Sequence, residues 1–159
     1  MRTALLVILV AAALSIGGWS KYSTVKADLA AQREGIDSEW SLVDVALERR
    51  AELILKMDVP ESLRQECAVL AGAKTPSEKI DANTRISAGL AQLSRRESDG
   101  LTQRLSDAEN RIAVERRRYN EMLEHYNAQI QRFPDNIVAS IAGFQRDDAY
   151  LPTDAGTQH

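Results

Sequence analysis

Between Leu101 and Phe133 the apolar residues recur at alternating steps of four and three, and no proline interrupts the chain from Ser77 to Phe133. The seam runs Leu101, Leu105, Ala108, Ile112, Glu115, Tyr119, Met122, Tyr126, then Gln129 or Ile130, then Phe133. That spacing keeps one stripe of a helix turned toward a partner helix. A strand would need alternation at every second residue. The seam therefore predicts an all-α fold: an elongated antiparallel helical bundle of three to four long helices.

The first half of the chain follows the same logic. Tyr22, Val25, Leu29, Ile36, Trp40, Val43, Leu47 and Ile54 fall at helical spacing, and the first proline is Pro60. One helix is predicted to reach about Met57, ended by Asp58-Val59-Pro60, because a residue before proline avoids the helical region. A short helix follows from Pro60 to about Leu70, with Asp58 in its cap region and proline near its first turn. Gly72 to Pro76 is a turn, and Thr75 or Ser77 can cap the next helix. Unbroken from Ser77, that helix would be ~85 Å long, against ~57 Å for the soluble part of the first. Either it overhangs or it breaks, and Ser98-Asp99-Gly100 is the predicted break. A break gives four segments and returns the tail to the amino-terminal end. Without one, the tail lies far from that end.

Thr3 to Ser20 carry no charge and are mostly apolar. As a helix they span ~27 Å, close to the roughly 30 Å hydrocarbon layer of a bilayer. A cleaved signal peptide would have a basic start and small residues at its cut, which Arg2 and Ala11-Ala12-Ala13 permit. A retained transmembrane helix would place aromatic and basic residues at the membrane interface, as Trp19, Lys21 and Tyr22 do. The retained anchor is the expectation, giving a single-pass protein of the cell membrane. Arg2 on one side and Lys21, Lys26 and Arg33 on the other fix no orientation. The predicted organisation is a transmembrane anchor at 1–20, a helical bundle at 21–133, a short amphipathic tail helix and extension at 134–151, and a disordered end at 152–159. Polarity after Gln145 extends the expected disorder back toward that residue. Ile137, Val138, Ile141 and Phe144 give the tail an apolar face, to be spent on the membrane surface or on the base of the bundle.

Particular strings add a resemblance. Glu109 to Asn120 reads ENRIAVERRRYN; Tyr126-Asn127 and Phe133-Pro134 follow; Asn136-Ile137-Val138-Ala139, Gly143-Phe144 and Tyr150 close the chain. Upstream stand Trp40 to Val45, Leu47 and Arg49 to Ile54. In this order they resemble the LemA family of membrane-anchored helical proteins. The resemblance implies a four-helix arrangement behind an amino-terminal anchor. The chain departs from the family's pattern at Leu55 to Pro60, where a different string is usual, and around Arg95 to Gly100, where the family has a proline turn. Glu115 stands where a small apolar residue is usual. A carboxylate on the seam must be paired, and the expected partners are Arg49 or Arg50 across the bundle.

Chemistry is sparse. Glu121, Glu124 and His125 could form one edge of a metal site, but the only other histidine is His159, so a zincin-type site is incomplete and the three are expected to be solvated. No Gly-rich phosphate loop or GxSxG elbow is present. Cys67 is the single cysteine, which excludes an internal disulfide; it is expected to behave as a small apolar residue. Net charge is -3 with acids and bases interleaved, which argues against a nucleic-acid face. Arg116-Arg117-Arg118 point three ways around a helix and are expected to be solvated or paired with Glu48, Glu52 or Glu115. No catalytic, metal or cofactor site is expected. The functional expectation is a non-catalytic membrane-anchored scaffold or adaptor, partnered by the lipid bilayer and by an unnamed protein or a second copy of itself. The alternative is a regulatory or sensor module for a membrane enzyme or protease.

Overall fold

A computed structural model describes residues 2–93 and 99–152; for residues 2–16 and 99–101 it describes the backbone alone. Among the described residues all regular structure is helical: α1 Arg2–Leu55, α2 Glu61–Gly72, α3 Pro76–Leu93, α4 Asp99–Gln131 and α5 Asp135–Ala142. The chain divides into two compact units, Met1–Gly35 with Met122–Asp148, and Ile36–Glu121 with Ala149–His159.

In the second unit the helices reverse direction one after another. Glu66 of α2 pairs with Arg85 of α3, and Leu63 meets Gly89, so α2 and α3 are antiparallel. Lys79 of α3 reaches Asp44 and Glu48, while Asn83 and Ser87 further along reach Arg50, so α3 runs parallel to α1. Trp40 stacks edge-on against Tyr119, and Arg50 pairs with Glu109, so α4 runs back along α1. α4 therefore runs antiparallel to α3. Of the expected break at Ser98-Asp99-Gly100, Asp99 and Gly100 open α4, and Ser98 lies outside the described residues.

The core of this unit is apolar and drawn from every helix: Val43, Leu47 and Ile54 of α1, Leu63, Cys67 and Leu70 of α2, Ile80 and Ile86 of α3, Ile112 and Tyr119 of α4. Local signals set the helix starts. Thr75 Oγ1 accepts from the Glu78 amide, and the Glu78 carboxylate accepts from the amides of Lys74 and Thr75. This is a reciprocal capping box with Pro76 at the first helical position. Those backbone donors hold the Glu78 carboxyl below its ordinary pKa. The cap expected from Asp58 does not form; Pro60 occupies the cap position of α2 without a side-chain bond.

In the first unit, Gly35 of α1 lies against Met122 of α4, Gln32 bonds to Gln129 and His125, and Lys21 faces Asp135. Positions fall along α1 as they rise along α4 and α5, so these segments too are antiparallel. Val25, Leu29, Leu123, Tyr126, Val138 and Ala139 are buried. The Phe133–Pro134 peptide is cis. Gly143 ends α5 at φ 80°, letting the Phe144 amide close on the Ala139 carbonyl, a left-handed termination that glycine adopts without strain.

Candidate functional site

Polar side chains at the helix contacts are the first group of candidates. Arg50 is 1% exposed. Its guanidinium donates to Asn83 Oδ1 at 2.6 Å and Ser87 Oγ at 3.1 Å on α3, and to Glu109 Oε1 at 2.5 Å on α4. One side chain thus ties three helices, with Nε buried and unbonded. Lys79 sits nearby in the same unit. Burial disfavours its ammonium, but bonds to Asp44 and Glu48 outweigh that and raise its pKa above the lysine norm.

The pairing expected between Glu115 and Arg49 or Arg50 is corrected by this geometry. Glu115 meets Arg118 at 3.1 Å and Arg111 at 3.8 Å on its own helix. Arg50 lies level with Glu109, almost two helical turns away from Glu115. Arg49 instead lines a groove of about 470 Å³ with Ala46, Leu53, Arg104, Asp107, Ala108 and Arg111. Arg116, expected to be solvated or paired with a glutamate, is buried.

Across from Glu115 stands Glu39 of α1. Burial raises its pKa, and so do a hydrogen bond and repulsion from Glu115, with Arg118 partly opposing. Its Oε1 is buried and unbonded. A raised folded-state pKa means that Glu39 favours folding below the ordinary glutamate range, and that this contribution is lost as pH rises through the raised value. Glu39→Gln should therefore gain thermal stability over the parent chain as pH rises from about 4 to about 7. A melting-temperature difference that stays constant over this range would contradict the paired-carboxyl reading.

The carboxy-terminal segment carries a feature that the residue pattern did not predict. In the first unit, Asn127 Nδ2 donates to the Asp147 carbonyl at 2.6 Å, and the Asp147 amide donates back to Asn127 Oδ1 at 3.0 Å. Tyr126 Oη donates to the Gln145 carbonyl at 2.9 Å. Arg33 pairs with Asp147 at 3.3 Å and lies over the Tyr126 ring at 5.7 Å, within cation–π range. In the second unit, Asn120 makes the same two-way bond to Leu151, at 2.7 and 2.8 Å, and Leu151 is buried. Each asparagine amide presents one donor and one acceptor, as a neighbouring strand's backbone would. The disorder expected after Gln145 is thus corrected up to Leu151, whose backbone is held; residues 153–159 lie outside the described residues. The recurrence of Tyr-Asn at a seven-residue interval was the available signal.

The remaining predicted positions separate. Val138 packs inward and Phe144 is half-buried, whereas Ile137 is 51% and Ile141 70% exposed. Phe133, the expected end of the seam, is 75% exposed. Trp19 is exposed and its ring contacts Tyr22; Lys21 pairs with Asp135 at 3.8 Å. Glu121, Glu124 and His125 are exposed, and no metal-binding cluster occurs among the described residues. Cys67 is buried and unpaired, and burial pushes its thiol pKa up, with Glu66 adding and Arg50 opposing. The thiolate is the reactive form. Cys67 should therefore resist a thiol reagent until the second unit unfolds, with a labelling rate that tracks denaturant. Fast labelling in native buffer would contradict this burial.

Among the described residues no helix is long and apolar enough to cross a membrane. The predicted transmembrane segment at 1–20 falls largely on residues 2–16, whose side chains lie outside the described set. A family model described as LemA family matches residues 57–159. The upstream resemblance at Trp40 to Ile54 lies before that range. Comparison with curated proteins finds no match.

Proposed function

Because this chain belongs to the LemA family, we propose that it acts as a membrane-anchored, non-catalytic helical scaffold. The observation that carries the reading is the uncharged run Thr3 to Ser20, which lies within α1 and continues into the rest of that helix without a proline. Its length suits a bilayer's hydrocarbon layer, and Trp19, Lys21 and Tyr22 supply the aromatic and basic residues that settle at a membrane interface. The protein's work is then presentation. Helices held by narrow apolar stripes keep polar faces outward, among them the groove lined by Arg49, Arg104 and Arg111. Specificity lies in the patterning of those faces for a protein partner or a second copy.

Fractionation tests the reading. The full-length chain should stay with membranes through an alkaline carbonate wash. A chain lacking residues 1–20 should move to the supernatant with its helical circular dichroism intact. Release of the full-length chain by carbonate, or recovery of a mature protein starting after Ser20, would overturn it.

A further inference from the structure

We infer that Phe133, Ile137 and Ile141, together with Trp19, form a second membrane contact that sits in the boundary between lipid headgroups and acyl chains. The inference rests on the anchored reading above and concerns the first unit alone. Ile137 and Ile141 are one turn apart and share the outer face of α5, while Val138 and Ala139 on its inner face are buried. Phe133 stands in the turn that precedes the helix. An eight-residue helix that buries Val138 and Ala139 against protein and turns two isoleucines outward is apolar on both faces, with apolar side chains where polar ones are the rule.

The level of this face identifies its occupant. Asp135, in the first turn of α5, pairs with Lys21. Lys21 comes directly after Ser20, the last residue of the uncharged run. The pair holds α5 beside the point where α1 would leave the hydrocarbon layer. At that depth the surrounding medium is lipid headgroup and upper acyl chain, where partly buried apolar helix faces are stable. Trp19 is exposed at the same level, and tryptophan favours this boundary. Arg132 is exposed next to Phe133 and suits an anionic headgroup. The occupant is therefore a bilayer surface containing anionic lipid.

The test places nitroxide labels on the full-length Cys67→Ser chain in nanodiscs of mixed phosphatidylcholine and phosphatidylglycerol. Single labels go on Ile137→Cys, Ile141→Cys, the anchor control Leu9→Cys, and Val69→Cys as an exposed control on α2. Accessibility to oxygen, which concentrates in lipid, is compared with accessibility to a water-soluble nickel chelate. The expected result is an oxygen-to-chelate ratio at 137 and 141 between those at 9 and 69. A ratio at 141 equal to that at 69, with position 9 embedded, overturns this contact and spares the anchor. Chelate access at position 9 overturns both. Protection of 141 from both reagents, with spin–spin broadening that grows with chain density, assigns the face to a second copy and overturns the lipid assignment.

Discussion

Glu109→Ala is expected to lower the unfolding free energy by about 3 kcal/mol, although its carboxylate is 54% exposed. An ion pair with an exposed partner ordinarily contributes little. Here the partner left behind is Arg50, almost wholly buried, with only the neutral Asn83 and Ser87 to bond. An uncompensated guanidinium in that position is the source of the cost. Introducing Arg50→Met into the same background should return part of the loss, because a flexible apolar side chain fills space without charge. Denaturant unfolding of the four members of this cycle measures the effect. A Glu109→Ala variant within about 0.5 kcal/mol of the parent would contradict the three-helix tie at Arg50.

The second large effect is expected at Asn127→Leu. The branched outline of the side chain is kept, but the amide and carbonyl of Asp147 lose their bonds to Asn127. Losing two such bonds costs about 2 kcal/mol. The change should also be local. Amide exchange at residues 145–148 should accelerate well before the buried positions of α4 respond, since a held extended segment can open without unfolding the helices. Uniform acceleration throughout the first unit would mean that Asn127 supports the helices and not the tail. Unchanged protection at 145–148 would mean that the Asn127 bonds do not hold the segment.

These two results bear on what the residue order discloses. The helical class, the end of α1 near Pro60, a cap at Thr75 or Ser77 and the seam through Leu105, Ile112, Tyr119 and Tyr126 were legible, because each is a local signal. The second buried row of α4, Arg116, Leu123 and Asn127, was not. A seam of threes and fours finds the residues facing one partner, and α4 also faces the carboxy-terminal segment, which widens its buried stripe. The partner of Glu115 differs from the expected one for a related reason. Composition shows that a seam carboxylate needs a cation, but the axial register between helices decides which one, and register is set by packing. Helix length by itself leaves an overhang or a break open, and the antiparallel course of α3 and α4 comes from contacts that length does not encode. The hold on Gln145 to Leu151 escaped because it uses backbone groups, which leave little trace in side-chain polarity. Of the tail's four apolar residues, helical phase on α5 alone decides that Val138 turns inward while Ile137 and Ile141 do not.

The central claim is that α4 returns along α1 and delivers the tail to the residue that follows the uncharged run. A short bis-maleimide applied to the membrane-bound chain carrying Cys67→Ser, Lys21→Cys and Asp135→Cys measures this directly. A high yield of an intramolecular cross-link, independent of protein concentration, is expected. A chain that fails to cross-link there, and instead joins Asp135→Cys to Met57→Cys, would contradict it.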